Sequence, residues 1–391
     1  VSSNALPMQV GRYRLLDSLG HGAYGFVYRA EIEGPLGFRE ELAVKVLHPA
    51  AAATDPESLL ALADEATILR QLRHPHIVQF RGFESADRPD GEWHLLALEF
   101  VRGVTLQQLI GLSRQTKRLL PFAAVLNITL EALEALKHAH EARQPDGSAL
   151  DLVHRDLKPA NLMVDSAGQL RVLDFGIAWA QDRHVRTRMG VTKGSLPYMS
   201  PEQLLGAPLD GRSDLYVLGL ILFELLTGEV WVSGPNPTQG RKVEDAAREC
   251  LVTDWTQGQP RWRSAVERGG VRPLGRTDAN AVATLLAGLL QRERNSRFAS
   301  AADAREHLLR GSLRWDQRAG HETLASLTGR LLKAQAPAAP PKASSTPDPD
   351  ATRAFGKVAV SIGPADLNDL DDDPAGETLP DPLQALETLR P

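Results

Sequence analysis

The stretch that decides the fold is His154-Arg155-Asp156-Leu157-Lys158-Pro159-Ala160-Asn161, followed after twelve residues by Asp174-Phe175-Gly176. Two carboxylates, a lysine and a carboxamide fall into short polar turns between apolar pieces. An acid in such a turn can take a proton from a hydroxyl, and a lysine two positions on can offset charge on a phosphate. An amide oxygen and a second carboxylate form an oxygen-only set suited to a hard divalent cation. The alternative is a basic turn that carries these residue types by chance.

Toward the N-terminus, apolar stretches at 14–19, 25–31, 41–47, 78–83 and 94–100 predict strands, separated by Gly, Pro and Asp. Between them, Pro56 to Leu72 keeps helical spacing and His74-Pro75 closes it. Gly20-His21-Gly22-Ala23-Tyr24-Gly25-Phe26-Val27 fits G-x-G-x-x-G-x-V, in which missing Cβ atoms let backbone approach a phosphate. An ordinary Gly-rich hairpin would look the same. A dinucleotide site is disfavoured, because Phe26-Val27-Tyr28 continues as strand where that site needs a helix. Lys45 sits in an apolar run and needs an anionic partner. Glu65, on the following helix, is the natural one, since Asp64 faces another way by helical phase.

Toward the C-terminus the pattern turns helical, with segments at 122–141, 200–205, 213–227, 279–291, 301–309 and 313–334. Strand-like pieces at 162–164 and 170–173 flank the catalytic strings. A β-rich first third and a helical remainder predict two lobes with a cleft between them.

In order and spacing, these motifs resemble those of eukaryotic-type (Hanks-type) Ser/Thr protein kinases, most like the bacterial members, over about residues 11–310. The resemblance implies an α+β, two-lobed protein-kinase fold: a small β-rich N-lobe (11–100) with one main helix, and a larger helical C-lobe (101–310). A short N-terminal extension (1–10) would precede it, with a further helix (311–334) and a disordered acidic tail (335–391) behind. It implies transfer of the ATP γ-phosphoryl group to protein hydroxyls, with Mg2+ or Mn2+. The catalytic residues would be Asp156, Lys158, Lys45 and Glu65, and the metal ligands Asn161 and Asp174. Gly20, Gly22, Gly25 and Lys45 would hold the phosphates. Val27, Ala43 and Met163 would sandwich the adenine, with Leu98 behind it and the backbone of Glu99 and Val101 at its edge. The resemblance also pairs Glu202 with Arg297, has Asp214 brace the catalytic loop, and stacks Leu69, Phe80, His154 and Phe175. The string after Asp156 is similar to that of the Ser/Thr class.

Two other function classes are weighed. A pseudokinase scaffold typically lacks the strand lysine or one of the two aspartates, and Lys45, Asp156 and Asp174 are all present. A small-molecule kinase lacks the long segment ending in Pro201-Glu202. That segment, from Asp174, carries four basic side chains and one acid between Gln181 and Lys193. Thr187 and Thr192 are its candidate phosphosites, with Arg155 as the clamp, against a plain solvated loop. Ser195 is expected to hydrogen-bond Asp156 and Lys158 instead.

The remaining features bound rather than identify. Of 391 residues, 42% are apolar and 24% charged, with one cysteine, so no intrachain disulfide is possible and nothing points to an oxidising compartment. The net charge is −5, and residues 335–391 alone carry four basic and ten acidic side chains. The body is therefore near neutral, which disfavours nucleic acid as a partner. No run is long enough to span a membrane and the N-terminus lacks a secretory pattern, so a cytoplasmic location is expected. Residues 143–150 and 231–275 depart from the family pattern. Trp231, Trp255 and Trp262 in the second are expected to cover extra core rather than form a docking surface. Thr352 and Thr378, in acidic surroundings, are either part of a solubilising tail or ligands of a phosphothreonine-reading domain.

Overall fold

The computed structural model describes residues 6–22, 25–54, 56–144, 146–175, 196–231, 260–262, 264, 276–310 and 315–335. Six strands form one antiparallel sheet: β1 (Met8–Val10), β2 (Tyr13–Gly22), β3 (Gly25–Glu33), β4 (Arg39–Leu47), β5 (Phe80–Arg88) and β6 (Gly91–Glu99). Their spatial order is β1-β2-β3-β4-β6-β5. β1 is one strand more than the apolar pattern predicts, since three residues are too few to show an alternation. A short helix, α1 (Pro49–Thr54), also lacks a sequence signature, being mostly alanine. α2 (Pro56–Gln71) packs its Leu62, Ala66 and Leu69 against this sheet, as its periodicity requires.

Below the sheet, β7 (Gly103–Thr105), β8 (Leu162–Asp165) and β9 (Leu170–Val172) form a second, three-stranded sheet with β9 at its edge. α3 (Leu106–Thr116) starts there with a capping box. The Thr105 hydroxyl accepts from the Gln108 N–H at 3.2 Å, and the Gln108 side chain accepts from the Thr105 N–H at 2.8 Å. α4 (Phe122–His140), α5 (Pro201–Leu205), α6 (Gly211–Thr227), α7 (Arg276–Leu289), α8 (Ala301–Arg310) and α9 (Gln317–Gln335) complete the large lobe.

α6 is buried from Ser213 to Thr227, so it is apolar all round rather than on one face. α4 lies beside it, and one apolar core runs from α2 through α4 and α6 to α9. The lobes are stitched by backbone: Val78 N–H donates to the Val172 carbonyl at 3.0 Å and Val172 N–H to that of His76 at 2.9 Å.

Both departures from the family pattern are partly described. Arg143 and Ala149 form an antiparallel bridge, with Leu150 N–H bonded to the Ala142 carbonyl at 2.9 Å. Trp231 and Trp262 are buried in the large-lobe core, and Trp231 meets Phe223 edge-on at 4.8 Å. They cover extra core, as expected. Trp255, Gly176, the candidate phosphosites Thr187 and Thr192, Ser195, and the tail with Thr352 and Thr378 lie outside the described residues.

Candidate active site

β4 positions the lysine. Its inward residues Leu42, Val44 and Val46 anchor one face of the sheet, so Ala43 and Lys45 share the other. Lys45 lies opposite Val27 on β3 and Leu96 on β6, and Ala43 lies opposite Leu98. The pleat thus puts Ala43 and Lys45 on one surface beneath the β2–β3 hairpin, where Gly22 pairs with Gly25. At Gly25 a Cβ would stand 2.1 Å from the Val46 carbonyl oxygen, so only glycine lets β3 pass β4 this closely.

Lys45 Nζ contacts Glu65 of α2 and lies 2.6 Å from Asp174 Oδ1. Glu65 is fully buried, whereas the Asp174 side chain keeps 28% of its surface exposed. Asp174 follows β9 in the left-handed region, at φ 58°, which turns its carboxylate back toward the lysine. Burial opposes the charge on Lys45, but the two carboxylates outweigh it and hold the ammonium above its ordinary range. Burial pushes the Glu65 carboxyl up to about 7, against the pull of Lys45 and with the help of the nearby Asp174 charge. Burial also works against the charge on Asp174, but Lys45 more than offsets it and keeps that carboxyl below the usual range. Of the two acids, Asp174 therefore ionises first.

The catalytic loop converges from below. Asp156 Oδ2 lies 2.7 Å from Lys158 Nζ. The Asn161 side-chain nitrogen donates to the Asp156 carbonyl at 2.8 Å and to its carboxylate at 3.0 Å. This commits the nitrogen of Asn161 to the loop and turns its amide oxygen the other way. The loop itself is braced by Asp214, whose two oxygens accept from the His154 and Arg155 N–H groups at 2.8 and 3.1 Å. Arg155 needs that brace, because it holds a positive φ of 66°. His154 meets Phe175 with tilted rings at 4.5 Å and binds the Leu173 carbonyl through Nε2 at 2.8 Å. Leu69 and Phe80 pack in the same core as Phe175.

At the lobe junction Leu98 is buried, with Glu99 and Val101 following it and Met163 on β8 opposite Thr105. The Glu99 N–H is taken by the Gln79 carbonyl at 2.9 Å. Behind the loop, Glu202 and Arg297 form a buried two-pronged pair at 2.7 and 2.9 Å.

Several contributors escape the sequence. His140 binds Asp214 Oδ2 through Nε2 at 2.8 Å. Glu224 accepts from Tyr198 and Arg114, each at 2.5 Å. The Gln203 side chain donates to the Arg155 carbonyl at 2.5 Å. One signal could have found the first two. Asp214 and Glu224 stand in an apolar helix, and buried acids need partners.

The donor set fits a hard divalent cation. Two acids share one ammonium, an excess of negative charge, and the candidate ligands are a carboxylate and an amide, both oxygen donors.

Residues 13–309 match the protein kinase domain family. The chain is 35% identical over 217 residues to the tyrosine-protein kinase MasK of Myxococcus xanthus, covering 56% of this chain and 33% of that protein. It is 34% identical over 256 residues to the serine/threonine-protein kinase PrkC of Bacillus subtilis (66% and 35%). Against the serine/threonine-protein kinase PknB of Mycobacterium tuberculosis the figure is 34% over 228 residues (58% and 34%). The chain thus spans about a third of the length of these relatives. Among solved structures, the PknI kinase domain of Mycobacterium tuberculosis superposes with a TM-score of 0.51 at 26% identity, covering 79% of this chain and 99% of that one.

Proposed function

Because the chain belongs to the protein kinase family, we propose that it is an ATP-dependent serine/threonine kinase that phosphorylates proteins with Mg2+ as its metal. Protein kinases use ATP and a divalent metal, and the observation that carries the finer reading is a convergence. Lys45, Asp174, Asn161, Asp156 and Lys158 face one cleft, with the lysine held by two acids. The Lys158–Asp156 contact supports the Ser/Thr assignment over the tyrosine one that MasK's name raises, since that lysine belongs to the Ser/Thr string.

In this reading Lys45 holds the α/β-phosphates and Glu65 holds Lys45. Gly20, Gly22 and Gly25 bring backbone over the phosphates, while Val27, Ala43, Leu98, Glu99, Val101 and Met163 receive the adenine. Asp156 orients the acceptor hydroxyl. As its oxygen bonds to the γ-phosphorus, the bond from that phosphorus to the ADP oxygen breaks and the hydroxyl proton passes to Asp156. Lys158 offsets the charge on the moving group. Mg2+ held by Asn161 and Asp174 would neutralise the phosphate oxygens.

Incubation with radiolabelled ATP and Mg2+ is expected to label the chain itself or a generic basic protein, on Ser or Thr by phosphoamino-acid analysis. Asp156→Asn and Lys45→Met should each lose at least about 10²-fold. Wild-type rates in either variant would overturn the assignment. Phosphorylation of Thr187 or Thr192 is proposed to activate the enzyme by pairing the added charge with basic side chains such as Arg155. Joint replacement of both by Ala should lower activity, and equal rates from that double variant and untreated wild type would sink the idea.

A further inference from the structure

α9 lies beyond the residues that match the kinase family, yet it is built into the body. It buries Leu324, Leu327, Thr328 and Leu331. At Gly320 it meets α4 so closely that a Cβ would stand 2.6 Å from Asn127 Nδ2 and 2.8 Å from the Ala123 carbonyl oxygen. Asn127 uses both ends of its amide there. It donates to the Gln317 carbonyl at 2.7 Å and accepts from Trp315 Nε1 at 2.8 Å. On its other side α9 touches the β8–β9 turn. Gly168 there has φ 82°, and a Cβ would fall 2.1 Å from the His321 carbonyl oxygen. Two contacts without room for a methyl group mark a fitted joint.

The joint encloses a charge. Glu131, on α4, is buried, and nothing in the mechanism uses it. One carboxylate oxygen accepts from the Leu170 N–H at 2.6 Å, and the other accepts from His321 Nε2 of α9 at 2.5 Å. His76 closes the group, with Nδ1 3.1 Å from the Leu170 carbonyl and 3.7 Å from Glu131 Oε2. Leu170 opens β9, and β9 leads within two residues to Asp174. That strand is three residues long, and the backbone bonds on its outer side, to His76 and Val78, are made by Val172 and not by Leu170. A buried carboxylate bonded to its first N–H supplies what these bonds leave out, but only while both oxygens of that acid have donors.

We propose that Glu131 and His321 are positioning residues for Asp174: α9 acts through the Glu131 carboxylate to fix the strand that presents the metal-binding acid. The proposal rests on the metal role assigned above to Asp174. It makes α9 part of the catalytic unit rather than an appendage to it.

The test uses the full chain and ADP affinity measured by calorimetry across a Mg2+ series. His321→Ala should raise the Mg2+ concentration for half-maximal tightening about three- to tenfold, below the 10–100-fold typical of a ligand's direct hydrogen-bond partner. Affinity without metal should not change. His321→Gln, whose Nε2 can take the place of the imidazole nitrogen, should restore the wild-type response. Gly168→Ala, which pushes the turn off α9, should raise the Mg2+ requirement by a separate route. An unchanged Mg2+ requirement in His321→Ala overturns the proposal. So does an equal loss of metal-free affinity, which would mean general loosening, or a failure of His321→Gln to rescue. A wild type that shows this split but transfers no phosphoryl group would support the positioning role while defeating the proposed function.

Discussion

Two cations, the buried Arg297 and the part-buried Lys45, meet carboxylates in opposite ways. Arg297 has no exposed side-chain surface, and all five of its N–H donors are used. Both oxygens of Glu202 take two of the bonds, carbonyls of Gln291, Arg212 and Arg292 take the rest, and the guanidinium lies 4.7 Å over the Tyr216 ring. Burial works against the charge on Glu202, yet Arg297 and Ser213 hold its carboxyl below the usual range. Lys45 instead faces two acids, and one of them, Asp174, is open to the cleft. The first arrangement is closed: one positive charge, one negative, nothing left to bind. The second carries an excess acid and can exchange partners. Closed pairs fasten a fold, whereas an unbalanced one leaves work for a ligand.

The largest effect should come from opening the closed pair. Glu202→Ala leaves Arg297 buried without its counter-ion and should cost about 3–5 kcal/mol in denaturant unfolding. Asp174→Asn should divide its effect differently. Stability should change by less than about 1 kcal/mol, because Lys45 keeps Glu65 and the site is part-exposed. Phosphoryl transfer should fall by at least about 10²-fold. A stability loss in Asp174→Asn as large as that in Glu202→Ala would break the comparison.

The pH response of the open cluster sharpens it. The Glu65 carboxyl is raised to about 7, so its stabilising contribution is complete below the ordinary carboxylate range and is lost as pH rises through about 7. Glu65→Gln is neutral throughout and should gain stability on wild type between about pH 5 and pH 8. Wild-type kcat/KM for ATP should fall as pH drops through about 7, when Glu65 gains its proton and Lys45 keeps one charged partner. A flat rate profile from pH 6 to 8 would remove Glu65 from this role. The smallest effect belongs to the exposed pair Arg318–Glu322 on α9, where Glu322→Ala should shift unfolding by less than about 0.5 kcal/mol.

Sequence legibility divides along similar lines. Strings such as HRDLKPAN and DFG are local, and their chemistry is visible because it needs particular residue types at short spacing. Lys45 and Glu65 were legible because a lysine in an apolar run demands an acid. The helical part of the large lobe followed from periodicity, with ends displaced by a few residues, as at α9. What stayed hidden depends on contacts between distant positions. Glu131 and His321 are 190 residues apart, and neither carries a local mark of the other. His140 read as one more position of an amphipathic helix, although its ring is turned to Asp214. Gln203 falls within the predicted helix at 200–205, and its bond to the catalytic loop adds nothing to the local pattern.

The indole of Trp315 is anchored to Asn127 just ahead of α9, while Trp93 lies in the small lobe against His48 and Arg88. Trp231 and Trp262 sit in the large-lobe core. The small lobe, the large-lobe core and the joint of α9 therefore each hold an indole of their own. Release of α9 would wet the Trp315 indole and leave Trp93, Trp231 and Trp262 dry, so that undocking and unfolding would differ in colour.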